Sequence, residues 1–286
     1  MSALHTQALL LRSADFGESD RIVHLLTPET GRLTAIAKGA RRSRRRFPGT
    51  LDLFNLLGVQ VERRRPGTMA RLEHARLLGT FEGIRRHSAR FALGCYLLEM
   101  LDRLAPEGGP RADHRALFAH ALASLRLVDA SEPDARLRVL LELRTLAALG
   151  LRPELRRCVR CGRDVGGSGA DAEAAGPRTG FHVAEGGPVC GRCGAGTDAL
   201  LPVHVGTLRA LERSLAFDLS QVDRIALGGG ALREARTLMA RFLRFHVGLD
   251  LRSERFLEDR LTPAGGEGKL APPDLPRRES PDPHGP

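Results

Sequence analysis

The sequence predicts a multidomain α+β protein: an N-terminal OB-fold β-barrel, followed by an α-helical domain with an inserted four-cysteine zinc knuckle. Three observations carry this. β-Compatible runs separated by turn residues fill residues 1–79, the hydrophobic period becomes helical at Thr80, and Cys-x-x-Cys pairs stand at Cys158/Cys161 and Cys190/Cys193. The division that follows is a barrel over 1–79, a helical bundle over 80–157, a knuckle over 158–195, C-terminal helices packing on the bundle over 196–261 and a tail over 262–286.

The first strand is expected at Leu4–Arg12, before the turn-rich Asp15–Asp20. Arg21–Leu26 follows, closed by Pro28-Glu29-Thr30-Gly31, and then Arg32–Lys38. Val59–Glu62, the core of LDLFNLLGVQVE, alternates apolar and polar residues, and Pro66-Gly67 turns the chain into Met69–Leu77. Five short strands in this space suit a small closed barrel of the OB type, whose strand face and loops bind single strands; an SH3-like barrel fits the same pattern.

From Phe81 to Leu104 apolar residues recur at helical spacing, and His114–Val128 and Pro133–Leu149 read as two further amphipathic helices. Residues 207–217 and 231–248 give two more. The Pro- and Gly-rich stretch after Thr262 has too few apolar residues to offset the entropy of ordering and is expected to be disordered. Hydrophobic content of 42% and charged content of 27% are ordinary for a globular chain. With no long apolar run and no basic leader before an apolar segment, neither a membrane span nor a signal peptide is expected, which places the chain in a reducing cytoplasm.

The net charge of +10 favours an anionic partner. Between Arg32 and Phe47 lie Arg32, Lys38, Arg41, Arg42, Arg44, Arg45 and Arg46 with no acidic residue among them. A cationic loop clamped between two strands is a presented surface, and its natural target is a polyphosphate. Arginine fills nearly every cationic position of the chain, a skew typical of GC-rich genomes. Lys38 is the only lysine before the tail, which hints that a compact ammonium is wanted there.

Each Cys-x-x-Cys pair can give two thiolates to one ion from a tight turn, with Gly162 and Gly194 placed to suit that turn. Four sulfur ligands close a tetrahedral shell around Zn2+ and leave no position for water, so the site is structural rather than catalytic. A redox role for the pairs fits less well, because neither follows a strand of a βαβ unit. Cys95, on the apolar face of the expected helix 81–104, reads as a small packing residue. No phosphate loop, dinucleotide fingerprint, serine-nucleophile elbow or zinc-protease motif occurs in residues 1–261, and the histidines are scattered singly. His24 and His74 fall in expected strands. A binding protein, not an enzyme, is expected.

The order strand–turn–GRLTAIAKGARRSRRRF–strand, then YLLEML at 96–101, CVRCG with CGRC, and LRSERFL at 251–257 resembles the RecO family of bacterial recombination mediators. KGAR at 38–41 is its most specific short stretch; the cysteine pairs are shared with many zinc ribbons. The resemblance runs from about residue 4 to residue 257. It implies an OB-fold, a helical bundle and a zinc knuckle, with Lys38 and Arg41 in the basic stretch of the barrel and Cys158, Cys161, Cys190 and Cys193 as metal ligands. It further implies binding to single- and double-stranded DNA, annealing of complementary strands, and partnership with RecR. Contact with the acidic C-terminal tail of single-stranded DNA-binding protein and help in loading RecA also follow. The arginines between Arg115 and Arg157 are where an acidic tail would be sought.

Annealing requires a grip on backbones that leaves base edges free. No tryptophan, one tyrosine and 11 phenylalanines argue for electrostatic contact over a stacking platform. Phe47 and Phe54, beside the basic loop, are either stacking residues or barrel core. Two other classes stay open: an RNA-binding or ribosome-associated protein with a barrel and a zinc ribbon, and a nucleic-acid enzyme whose site is not local in sequence.

Overall fold

The computed structural model describes residues 2–43, 45–63, 68–165, 177–219, 221, 225, 227–248 and 251–261. Strand β1, Ser2–Phe16, is the longest and belongs to two ladders. Its first half pairs with β4, Asn55–Arg63, from Ser2↔Arg63 to Leu9↔Leu56. Its second half pairs with β2, Asp20–Thr27, from Leu9↔Leu26 to Phe16↔Asp20, with a register shift between Leu10 and Arg12. With β3, Gly31–Ala37, and β5, Ala70–Thr80, the ladder closes in the order β1-β2-β3-β5-β4, and β3 and β5 run parallel. That circuit is the five-stranded OB arrangement. β1 outruns its expected length because a bulge bends it from one ladder into the next, and a pattern search over a short window stops where the alternation changes phase.

The barrel interior holds Ala8, Leu10, Val23, Leu25, Leu33, Ala35, Ala37, Leu57, Val59, Val61, Ala70, Leu72 and Ala75. β3 shows why, since every second residue of GRLTAIA is buried. Phe47 and Leu51, from the segment after the basic loop, plug this interior, and the Arg46 carbonyl accepts from Ala75 N at 3.1 Å. Phe47 is therefore core.

The helix expected over 81–104 is two helices: α1, Glu82–Arg86, and α2, Ser88–Leu104, separated by an extended His87. Both halves face the same apolar core, so the periodicity does not register the break. Long-range polar contacts hold it, with Asp129 Oδ1 accepting from Ile84 N at 2.8 Å and Arg90 donating to the Asp129 and Ser131 carbonyls. α3, Arg111–Ala130, and α4, Ala135–Ala148, complete the first bundle, and the Asp134 side chain caps α4 by accepting from Leu137 N at 2.7 Å.

After the cysteine region comes a three-stranded sheet of β6, Arg178–His182, β7, Gly187–Val189, and β8, Leu201–His204, in the order β7-β6-β8, with the one-turn α5, Gly191–Gly194, between β7 and β8. Phe181–Val189 reads in sequence as a hairpin closing the knuckle, which β6 and β7 form; β8 lies outside that stretch, and its four residues are too short to show alternation. α6, Val205–Ala216, and α7, Gly229–Val247, follow, then α8, Arg252–Leu261, which periodicity did not separate from its surroundings. None of these helices is long and apolar enough to cross a membrane. The Gly- and Ala-rich insert Asp164–Gly180 reads in sequence as a loose loop; its residues 166–176, like the expected tail over 262–286, lie outside the described residues, and Arg178–Gly180 are instead part of β6.

Bundle and sheet share one hydrophobic cluster, and the barrel contributes Leu9, Leu11, Leu26 and Phe54 to it. Phe54 is buried and has a left-handed backbone, φ 64°. Such a backbone costs a bulky residue about 1–3 kcal/mol. Its ring packs edge-on to Phe91 at 5.3 Å and lies over Gly94 of α2. Behind α2, Glu142 is buried, accepting from Tyr96 Oη and from Arg138 Nε at 2.7 Å each, while Arg138 Nη2 reaches Glu254 of α8 at 2.7 Å. Burial raises the Glu142 carboxyl above its usual range, against the pull of Arg138.

A Cβ at Gly94 would stand 2.8 Å from Phe54 Cε1 and 3.1 Å from Ile84 Cγ2. Gly94→Ala should destabilise the chain by about 1–3 kcal/mol through overpacking. Thermal or urea unfolding of the full chain measures this, and an unchanged midpoint would show that the ring does not lock barrel to bundle.

Candidate nucleic-acid interface and metal centre

The basic loop begins where β3 ends, and the β1–β2 turn backs it. Asp20 accepts from Lys38 Nζ at 2.7 Å and from Gly39 N at 2.8 Å. The Arg41 amide donates to Ser19 O at 3.0 Å, and its guanidinium reaches Glu18 O at 3.3 Å and Asp15 at 3.6 Å. Arg46 Nη2 donates to Lys38 O at 2.6 Å, closing the loop on itself, while its guanidinium lies over the Phe47 ring. The compact ammonium expected at Lys38 thus sits on a carboxylate, half-exposed.

Arg42 and Arg45 are exposed, and their side chains have no ion pair or hydrogen bond among the described residues. Arg44 lies outside the described residues. Arg32 is elsewhere: it faces the bundle, 3.5 Å from Asp102 and 2.8 Å from Glu107, while His24 pairs with the same Asp102 at 2.5 Å. Arg32 and His24 are docking residues because they lie on the strand face that α2 covers. His74 is exposed on β5.

Several of the arginines between Arg115 and Arg157 are engaged within the fold. Arg138 is in the buried network, Arg144 donates to the Ser214 and Phe217 carbonyls, and Arg152 pairs with Glu212. Cys95 lines a cleft of about 470 Å3 between β1, α2 and α8, and burial followed by the nearby Glu99 carboxylate pushes its thiol up to about 12. That thiol is not a nucleophile at neutral pH.

The four remaining cysteines converge. Their sulfur atoms all lie within 4.8 Å of one another, with Cys161 Sγ and Cys190 Sγ 3.7 Å apart. Four thiolates around one tetrahedral ion with bonds of about 2.3 Å stand about 3.8 Å apart. Gly162 N and Gly194 N donate to the Cys158 and Cys190 carbonyls at 2.8 and 2.9 Å, so each pair forms the same tight turn. Gly162 has φ 73° as expected, whereas Gly194 ends the helical turn α5 and needs no left-handed backbone. Cys158 is buried, yet amides of Cys190, Arg160 and Cys161 outweigh that burial and bring its thiol down to about 6. Cys193 is pushed up to about 12, first by its contact with the Cys161 thiol. Anions this close cannot all ionise unless a cation joins them, and the donor set fits a soft metal ion. Arg160 ties the two turns together, donating to Cys193 O at 2.7 Å and pairing with Glu185 at 2.7 Å.

Residues 1–81 match the sequence model of Recombination protein O N terminal, and residues 85–255 match Recombination protein O C terminal. The chain belongs to the RecO family of DNA repair proteins. It is 37% identical over 259 residues to the DNA repair protein RecO of Anaeromyxobacter dehalogenans, covering 91% of this chain and 97% of that one. The RecO proteins of Myxococcus xanthus and Syntrophus aciditrophicus are 34% and 30% identical, over 90% and 89% of this chain and 98% and 95% of theirs. The family domain joint between residues 81 and 85 coincides with the start of α1.

What sequence reading missed is the acidic backing of the loop. Asp15 and Asp20 precede it by a whole hairpin, and only the register β2↔β3 brings Asp20 to Lys38. The Lys38 hydrogen bond, and then that of the Gly39 amide, hold the Asp20 carboxyl below its ordinary 3.8. A depressed carboxyl contributes stability above its unfolded value and loses it as pH falls through the folded one. The Gly39 amide chemical shift should therefore hold steady through neutral and mildly acidic pH and move only below the ordinary aspartate range. Asp20→Asn should show the displaced shift at every pH; a wild-type shift that titrates near pH 6 instead would exclude this pairing.

Proposed function

We propose that this member of the RecO family is a mediator of recombinational repair that binds single- and double-stranded DNA through loop 38–46, anneals complementary strands, and acts with RecR. In this reading it engages the acidic C-terminal tail of single-stranded DNA-binding protein and thereby helps to load RecA onto coated DNA. It works in the cytoplasm at the nucleoid, without catalytic turnover. The observation that carries the reading is the arrangement of the loop: exposed Arg42 and Arg45, whose side chains have no partner among the described residues, on a turn that Lys38, Arg41 and Arg46 hold in place.

Phosphate oxygens are the ligands such a surface takes. Each contact releases condensed counterions, so binding falls steeply with salt and little with sequence. Guanidinium groups on phosphates leave the base edges facing outward, which is what a second strand needs in order to pair. Arg32, committed to Asp102 and Glu107, takes no part in this grip.

Zinc is the ion proposed for the Cys158, Cys161, Cys190 and Cys193 cluster. A closed thiolate shell supplies folding energy and no open coordination position. Its support for the rest runs through the sheet, since Phe181, Leu201 and Val203 belong to the bundle's core and His204 pairs with Glu234 of α7 at 2.5 Å.

The test is to coat two complementary labelled oligonucleotides with cognate single-stranded DNA-binding protein and follow duplex formation with the full chain. Acceleration is expected. It should be lost when Arg41, Arg42, Arg44, Arg45 and Arg46 are replaced by alanine, with the log–log salt slope for single strands shallower by about 0.7 per phosphate contact removed. No acceleration by the wild type would overturn the mediator reading. For the metal, atomic emission should find zinc in the purified chain, and Cys158→Ser should lose it and melt at a lower temperature. A metal-free wild type that melts identically to that variant would refute the structural role.

A further inference from the structure

We infer that Phe16 is a stacking site for one unpaired base at the edge of the basic loop, an inference that rests on the nucleic-acid reading above and gives it a preference for single strands. Phe16 ends β1 and its side chain is 51% exposed, whereas Phe47 and Phe54, the aromatics nearest the loop in sequence, are buried. Among the described residues its ring packs on no other aromatic ring and under no guanidinium.

Its register fixes where it stands. Phe16 is the cross-strand partner of Asp20, and cross-strand partners project from the same face of a hairpin. Asp20 is the carboxylate that holds Lys38 Nζ and the Gly39 amide. The turn between them, with Gly17 at φ 59°, is tied to the loop again by Arg41. The ring is thus carried on the hairpin that holds Lys38, Gly39 and Arg41, at the edge of the loop that presents Arg42 and Arg45. A lone exposed phenylalanine is common on protein surfaces. Here the turn that follows it is fastened to the cationic loop by four polar contacts of Glu18, Ser19 and Asp20, which keeps the ring at the loop's edge.

Stacking occupies a base's face and leaves its pairing edge outward, so one such contact is compatible with annealing. Inside a duplex both faces are already occupied by neighbouring bases, so the contact favours single strands.

The chain has no tryptophan, so Phe16→Trp in the full-length protein is a single fluorescent reporter at this position. Its emission should be quenched by a saturating single-stranded oligonucleotide and left unchanged by a duplex or by an abasic strand of equal length. Phe16→Ala should bind the single-stranded oligonucleotide about tenfold more weakly, with duplex and abasic affinities and the salt slope as in the wild type. Equal single-strand affinity for Phe16→Ala and wild type, or a loss shared by single strand, duplex and abasic strand alike, would overturn the stacking site while leaving DNA binding established. Failure of the wild type to bind any of the three would instead remove the reading on which the inference rests.

Discussion

The position of the barrel depends on a backbone that its residue does not favour. Phe54 adopts a left-handed conformation, and what makes that tolerable is the burial of its ring against α2, where Gly94 leaves room for it and Phe91 meets it edge-on. The energy of that packing offsets the strain only while the bundle is in place. The barrel wall adds Leu9, Leu11 and Leu26 to the same cluster, and Arg32 and His24 converge on Asp102 at its margin. Barrel and bundle are thus one packed unit, held through Arg32 at the start of β3, while the basic loop follows the other end of that strand.

The loop itself is an exercise in placed charge. A run of arginines free in solvent would repel itself and sample many geometries. Here Asp20, Asp15 and two main-chain carbonyls of the β1–β2 turn hold Lys38 and Arg41, and Arg46 folds back on Lys38 O. The side chains left over are those that face outward. Part of the conformational entropy that a phosphate ligand would have to remove is already removed.

Much of this was legible in residue order. The strands of the barrel, the switch to helices after Thr80 and the two cysteine turns are each set by local pattern, and the structure contains all three. Four features were not legible, each because it rests on contacts distant in sequence. The break at His87 is held by Asp129 and Arg90, and β8 is a strand only because β6 lies beside it. Phe47 and Phe54 read identically in sequence, yet one fills the barrel and the other the joint. Arg138 counts as surface charge until Glu142 and Glu254 are brought round it.

The double membership of β1 has a consequence for how the chain is made. Its first residues pair with β4, so Ser2 waits for Arg63, and the supporting helix around Gly94 emerges later still. At a synthesis rate of about 5–20 residues per second, the interval before Arg63 is made lasts about 3–12 s. Through that time the nascent strand offers Leu9, Leu10 and Leu11 with an unpaired edge, a period in which a ribosome-bound chaperone has something to hold. Closing so distant a pairing also makes the barrel a slow element to fold relative to the local helices behind it.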